Sequence, residues 1–427
     1  MADEFVIFDK ITYPVTDGIL NLSEKGIKSI GEIKGLKRIE TLRELNLSGN
    51  NIGEIKDLED LIGLEKLYLD FNRITHISGL ETLVNLKYLA LGDNQISALG
   101  GLDNLTDLVD LQLNSNKISQ INGLDSVTNL RELNLAFNHV ISITGLEGHP
   151  HFEILSLNNN QLSEISGLET LTRLRKLELG SNNIKTITGL DTLADLQYLD
   201  LSSNSISEIT GLENLVNVAK LRLRNNPIPG EFVEMLGGLD GQGYARNPSA
   251  FIRYCKVQKE KEVLEGMIRE SKHLQQVVAE KMELQETFFS DVDRLKEELN
   301  ELNASLVDAE ASNDRATVQA LDDIIRESRG KLRNLAGKMD ENLASIAGDI
   351  EKVFILHENA EPIIQRMFGA DWEKLGEKWN EYKSDECTLK EFLALVFNDE
   401  DRSMVKTFSK AFEGIVNDFS AKKSSPV

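Results

Sequence analysis

Six histidines and two cysteines are the side chains in this chain best suited to bind a metal or to act as nucleophile and base. Their spacing argues against both roles. His76, His139, His149, His151, His273 and His357 are scattered, and the closest pair, His149-Pro150-His151, has no cysteine nearby. A metal site needs several converging ligands of suitable geometry. No GxSxG, HExxH or protein-kinase signature occurs. The acidic loop Asp57 to Asp60 lacks the calcium-loop spacing with its central glycine and final glutamate. The glycines of GGLDGQGYARNPSAF (237–251) invite comparison with a phosphate loop. However, no GK[ST] follows them and no strand–helix frame surrounds them. The expectation is a non-enzymatic protein with no catalytic residue, no metal site and no cofactor.

Composition narrows the partners. The net charge of −23 over 427 residues argues against nucleic acid, since phosphate binding needs concentrated lysine and arginine. No run approaches the roughly 18–20 apolar residues of a membrane span. The start, MADEFVIFDK, lacks the basic and apolar stretches of a signal peptide. Cys255 and Cys387 give no disulfide framework, and the chain reads as cytoplasmic.

The elements that must position any site are set by a repeat. An asparagine recurs every 22 residues at Asn50, Asn72, Asn94, Asn116, Asn138, Asn160, Asn182, Asn204 and Asn226. Around it stand LRELNLSGNNI, LEKLYLDFNRI and LRKLELGSNNI, a pattern L-x-x-L-x-L-x-x-N-x-I closed by I-x-G-L. A fixed period of this length marks a solenoid whose units bury their apolar sides against their neighbours. Alternation around Leu45 and Leu47, or Leu67 and Leu69, predicts short strands stacked into a parallel sheet. An asparagine amide donates and accepts, so it can satisfy backbone groups left unpaired where each strand turns inward. Gly79, Gly101 and Gly123 are placed to permit a tight bend.

The pattern resembles leucine-rich repeats over residues 20 to 230. Its 22-residue length and closing I-x-G-L resemble the class typified by the leucine-rich regulatory subunit of protein phosphatase-1, in which the concave face grips the catalytic subunit. Here Pro227 leads into a glycine loop and a long helix instead of that family's terminal cap. The cysteine-rich end caps common in extracellular leucine-rich repeats are absent from the sequence.

Function must then lie where the repeat makes no demand. The positions flanking the strand leucines expose Tyr68, Asp70, Tyr88, Asp110, Glu132, Glu178, Tyr198, Asp200, Arg222 and Arg224, the candidate partner-binding residues. Tyrosines on a concave wall are the anchors that protein interfaces use. Lys220, Arg222 and Arg224 form a basic rim, which reads either as a contact for an acidic segment or as an edge paired with nearby carboxylates. Phe71 and Phe137, just before their asparagines, are expected to stack as a spine inside the loop layer.

The composition shifts after Pro248. Phe288, Val292, Leu295, Leu299, Leu302 and Leu306 are spaced 4-3-4-3-4. After a break at ASNDRA (311–316), Leu321, Ile325, Leu332, Leu335, Met339 and Ile346 resume the seam, with Ser328 and Asn342 filling two positions. Two amphipathic helices around a polar break suggest an antiparallel hairpin. Farther on, RMFGAD (366–371), TLKEFLALV (388–396) and FSKAFEGI (408–415) resemble the end of the formin homology domain that assembles actin. That resemblance implies actin binding or modulation rather than filament nucleation, because the rest of such a domain has no room here.

The expected architecture is an α/β leucine-rich-repeat solenoid with a parallel-sheet arc, followed by an all-α coiled-coil or helical-bundle part. We place the solenoid with its N-terminal cap at 1–235, a linker at 236–250 and a helical hairpin at 251–358. A small helical domain at 359–420 and a disordered tail at 421–427 complete the chain. The expected function is an intracellular scaffold, with a protein partner on the concave face and a helical tail acting in actin regulation. The alternative is a regulatory subunit that holds a phosphatase catalytic subunit through the repeats. Self-association through the helices is allowed by either reading.

Overall fold

In the computed structural model, which describes residues 4–312 and 314–368, the repeat builds one continuous sheet. A β-hairpin, β1 (Phe5–Phe8) and β2 (Ile11–Pro14), opens the chain, and ten parallel strands follow. They are β3 (Ile19–Asn21), β4 (Glu44–Asn46), β5 (Lys66–Tyr68), β6 (Tyr88–Ala90), β7 (Asp110–Gln112), β8 (Glu132–Asn134), β9 (Ile154–Ser156), β10 (Lys176–Glu178), β11 (Tyr198–Asp200) and β12 (Lys220–Arg222). Each strand pairs only with its sequence neighbours, and from β4 onward the register advances by one period, as in Leu67↔Leu89 and Leu177↔Leu199. Identical residue types therefore stack in columns. Leu45, Leu67, Leu89, Leu111, Leu133, Leu155, Leu177 and Leu199 are all fully buried behind the sheet. Burying such a side chain stabilises the fold by about 1.5–3 kcal/mol.

The asparagine column closes the turns. Asn72 donates from Nδ2 to Leu69 O in its own repeat and to Leu47 O in the preceding one, both at 3.0 Å. Its Oδ1 accepts the Ile52 amide at 3.0 Å. The same trio recurs through Asn226, which donates to Leu201 O and Leu223 O and accepts from Ile206. Every amide thus satisfies groups in two repeats at once. The glycine column is equally constrained. Gly79 has φ +70°, and a Cβ there would lie 2.2 Å from Ile55 O.

Both ends of the sheet are covered. Val6 of β1 is fully buried, and Ile7 exchanges two 2.9 Å backbone bonds with Lys34. Beyond β12, α1 (Gly230–Met235) precedes a segment expected as a linker. That stretch carries ordered backbone pairing: Leu223 donates to Gly243 O and Ala245 to Leu221 O, so Tyr244 lies against the last strand. The helix α2 (Pro248–Ala311) begins on a proline, a residue that suits the first helical position because its missing N–H leaves no bond unmade. Phe251 and Cys255 on its first turns are buried in the core of the arc. Burial pushes the Cys255 thiol up to about 11, so it is inert as a nucleophile. Lys259 pairs with Glu213 at 2.6 Å, and residues 1–259 form one compact unit.

The described residues from 260 onward belong to a second unit. Here α2 and α3 (Arg315–Phe368) are antiparallel, joined at a turn where Asp314 caps α3 by accepting the Thr317 amide. Hydrogen bonding by Thr317 holds the Asp314 carboxyl below its usual range. Every seam position named above is buried or half-buried, from Phe288 and Val292 through Ile325 and Ser328 to Ile346. Asn342 donates to Lys281 O at 2.8 Å and to Gln285 Oε1 at 3.0 Å. Lys281 in turn reaches Ser345 Oγ at 2.7 Å and pairs with Asp349. These polar bonds fix the register of the two helices. Most of the expected small helical domain, and all of the tail, lie outside the described residues.

One repeat breaks its own rule. His149, 1% exposed, occupies the apolar column of Leu61, Leu83, Leu105, Val127, Leu171, Leu193 and Leu215. Its Nε2 faces Leu124 O at 3.0 Å and its Nδ1 faces Leu146 O at 3.2 Å. A neutral imidazole has a single donor and can serve only one of these carbonyls. Both carbonyls already accept backbone amides, from Val127 and from His149 itself. His149→Leu therefore orphans nothing, and it should raise the melting temperature by the equivalent of about 1 kcal/mol, read by thermal denaturation. A loss of stability would show that the imidazole bonds outweigh apolar packing at this position.

Candidate partner-binding face

The face opposite the leucine columns is made of side chains that the repeat leaves free, and the structure divides it into three regions. At the N-terminal side, the rings of Tyr68 and Tyr88 lie 5.0 Å apart and tilted by 40°. Both are half-buried, and neither hydroxyl bonds to another described residue. Burial, followed by the charges of Asp110 and Asp70, pushes the Tyr88 phenol up to about 12.

Amides and carboxylates fill the centre. Gln112 donates to Asp110 Oδ1 at 2.7 Å and accepts from Asn134 at 2.8 Å. Asp70 Oδ1 accepts the Gly92 amide at 2.9 Å. Burial holds the Asp70 and Asp110 carboxyls above the usual carboxylate range, with Asp93 and Glu132 adding repulsion. The folded state therefore binds protons at these groups more tightly than the unfolded chain does. Their contribution to stability falls as pH rises through the carboxylate range, and the deficit persists at neutral pH. Asp70→Asn and Asp110→Asn retain the acceptor oxygen, so each is expected to raise stability at pH 7 and to leave it unchanged in acid. Denaturant titrations at the two pH values would reveal the difference.

At the C-terminal side the predicted residues are engaged with one another. Asp200, 4% exposed, accepts from the Ser202 amide and hydroxyl and pairs with Arg222 at 3.1 Å. Arg222 also lies over the Tyr244 ring, 5.5 Å from its centroid, and Lys176 lies at the same distance over Tyr198. The Tyr198 and Tyr244 hydroxyls are 3.1 Å apart. Glu178 pairs with Lys176 at 3.1 Å. Arg224 stays exposed, beside Gly243. The structure brings Tyr68, Asp70, Tyr88, Asp110 and Glu132 together as an open patch, whereas Tyr198, Asp200 and Arg222 join the cap. No repeat spacing marks Tyr244 in the sequence, because it lies beyond the last period.

Phe71 and Phe137 form no spine. They are 63% and 58% exposed, with φ of 54° and 57°. The whole column before the asparagines has positive φ, a conformation that swings the side chain away from the loop interior. Asp93 belongs to the same column and joins the acidic centre. The available signal was the column's other occupants, Gly49, Asp93, Ser115, Asn159, Ser181, Ser203 and Asn225, most of them types that tolerate this conformation.

Residues 40–82, 84–126, 128–170 and 153–192 match the family profile described as leucine-rich repeats in two copies, and residues 195–215 match the single leucine-rich repeat. The arc is a leucine-rich-repeat solenoid. Among solved structures, the chain is similar to an internalin, InlF, from Listeria monocytogenes, with 33% identity and a TM-score of 0.46. That match covers 49% of this chain, which spans about three fifths (61%) of the internalin's length. Internalin C2 of the same organism has 27% identity over 45% of this chain and 85% of its own, with a TM-score of 0.40. The leucine-rich repeat domain of APL1B has 20% identity over 49% of this chain and 64% of its own, with a TM-score of 0.42. No curated protein matches. Leucine-rich repeats of this kind are protein-interaction scaffolds, and neither family profile denotes a catalytic family. No described group of three or more histidine, cysteine or acidic side chains could hold a metal ion. No described helix is long and apolar enough to cross a membrane.

Proposed function

We propose that the leucine-rich-repeat arc is a docking platform that holds a protein partner on its concave face, centred on Tyr68 and Tyr88. The observation that supports this reading is the ring pair itself. Two half-buried tyrosines meet at 5.0 Å with their hydroxyls unused, above a core whose own polar groups the asparagine column satisfies. Tyrosines of this kind supply large apolar area together with a polar tip, as interface anchors do. A photo-cross-linking residue placed at Tyr88 should yield a discrete adduct with a partner. The same residue at Val216, exposed in the turn between β11 and β12, should not. Equal labelling from both positions, or none from Tyr88, would reject the platform.

The helical part extends the proposal to the cytoskeleton. The formin-like segments support a role in contacting actin or an actin-assembly factor, although 369–371, 388–396 and 408–415 lie outside the described residues. Pelleting of the full chain with actin filaments, resistant to salt, is the expected result. If the chain stays in the supernatant and the phosphatase-1 catalytic subunit binds the arc, the protein is a phosphatase regulator.

A further inference from the structure

The arc contains its own example of what its aromatic and acidic groups accept. At the C-terminal end, tyrosine and carboxylate are completed by a cation: Arg222 pairs with Asp200 and lies over Tyr244, and Lys176 lies over Tyr198 while pairing with Glu178. Glu44, at the other end, is paired with Lys66 at 3.4 Å. In the stretch between, the same ingredients recur without the cation. Tyr68 and Tyr88 face Asp70 and Asp110, and Asp93 and Glu132 lie alongside. None of these four carboxylates has a lysine or arginine within ion-pair distance among the described residues. No strand from β6 to β9 carries a basic residue, and Arg131, which precedes β8, is paired with Glu153 at 3.0 Å.

Such an arrangement is unfavourable for a face left to water. Like charges share a half-buried surface, and their repulsion adds to burial in raising two of the carboxyls. A cation from outside would remove the repulsion and find a π face beside it. Exposed Phe71 and Phe137, three repeats apart, add two apolar contacts separated by about 14 Å at the usual strand spacing. Small cations could supply charge alone. A polypeptide segment supplies charge and apolar side chains on one scaffold, and an extended chain covers that separation in about four residues.

On the reading that the concave face is a docking platform, we propose that its occupant is an arginine-bearing basic segment of the partner protein. Its guanidinium takes the place beside Tyr68 and Tyr88 that Arg222 takes beside Tyr244. Asp70, Asp93, Asp110 and Glu132 balance the charge, and flanking apolar side chains meet Phe71 and Phe137. Arginine suits the site better than lysine because its planar group stacks on a ring while pairing a carboxylate.

The test uses the full chain and a short labelled peptide of arginine, serine and two leucines, followed by fluorescence anisotropy. Binding should weaken about tenfold in the double variant Asp110→Asn with Glu132→Gln, and to a similar degree in Tyr88→Leu. It should fall steeply with added salt and be weaker for the lysine version of the peptide. A cooperative melting transition at or above the wild-type temperature for the carboxylate variant, and a cooperative transition for Tyr88→Leu, would confirm that the variants fold. The inference is overturned if the wild-type chain does not bind the peptide at millimolar concentration, or if the variants bind it equally well. Equal binding of a glutamate version, or of spermine, overturns it too. A discrete adduct from the Tyr88 cross-linker together with a failed peptide would reject the basic segment and leave the platform standing. Absence of both would reject the platform itself.

Discussion

Asn116→Ala is expected to lower the melting temperature of the arc by roughly 10 °C, among the largest effects a single polar substitution can have here. Asn116 lies in mid-arc, buried, and donates to Leu91 O at 2.9 Å and Leu113 O at 3.1 Å while accepting the Ile96 amide at 2.9 Å. Alanine leaves these buried groups without their partner, and each orphaned group costs about 1–3 kcal/mol. Because the groups belong to adjacent repeats, the loss loosens the junction as well as the turn, for a total of roughly 3–5 kcal/mol. Asn129 is the control. It also donates to a backbone carbonyl, Thr106 O at 2.9 Å, but from an exposed position. Its alanine variant should stay within about 0.5 kcal/mol of the parent. Equal losses from the two variants, measured by denaturant titration, would show that burial of the amide column does not set its weight.

Gly167→Ala should be comparably severe for a different reason. Gly167 has φ +74°, and a Cβ built there lies 2.0 Å from Ile143 O, a backbone atom of the preceding repeat. Neither backbone can retreat without opening the junction. The left-handed conformation costs about 1–2 kcal/mol for a residue with a side chain. Forced overpacking adds about 1–3 kcal/mol more. Gly53 meets nothing within 4 Å and has no positive φ. Gly53→Ala should therefore be neutral or slightly stabilising, since alanine narrows the unfolded ensemble. A variant pair that unfolds at one denaturant concentration would refute the steric argument.

These predictions rest on the part of the protein most legible in its sequence. Leucine, asparagine and glycine columns are dictated by contacts between identical positions of adjacent repeats, so a fixed spacing exposes them. The helical seam was readable for the same reason, since Val292, Leu299, Ile325 and Ile346 obey one heptad rule and are buried together. What the period does not dictate was harder to see. The pairing of Tyr198 with Tyr244 links a repeat to the segment after it, and no spacing foretells it. For Phe71 and Phe137 the aromatic type suggests burial, whereas the backbone conformation of their column decides the direction. Arg222 pairs with Asp200, as the carboxylate-paired reading of the basic rim expects, but no spacing marks Asp200 as buried. Among the residues that remain available, the carboxylates Asp70, Asp110 and Glu132 have amide partners but no cation, and the hydroxyls of Tyr68 and Tyr88 have no described partner.

The direction of the asparagine bonds gives the arc a sense of time. From Asn72 onward each amide reaches back, donating to the carbonyl 25 residues earlier and accepting the amide 20 residues earlier, as Asn138 does with Leu113 and Ile118. A repeat is therefore sealed only by the one that follows it. As the chain leaves the ribosome, the nascent arc always carries one open turn at its growing tip, and each 22 residues of new chain closes the turn before. The final opening, at β12, is closed by Tyr244 and the first turns of α2, so a ribosome stalled before residue 255 would present an arc with its newest hydrophobic layer bare.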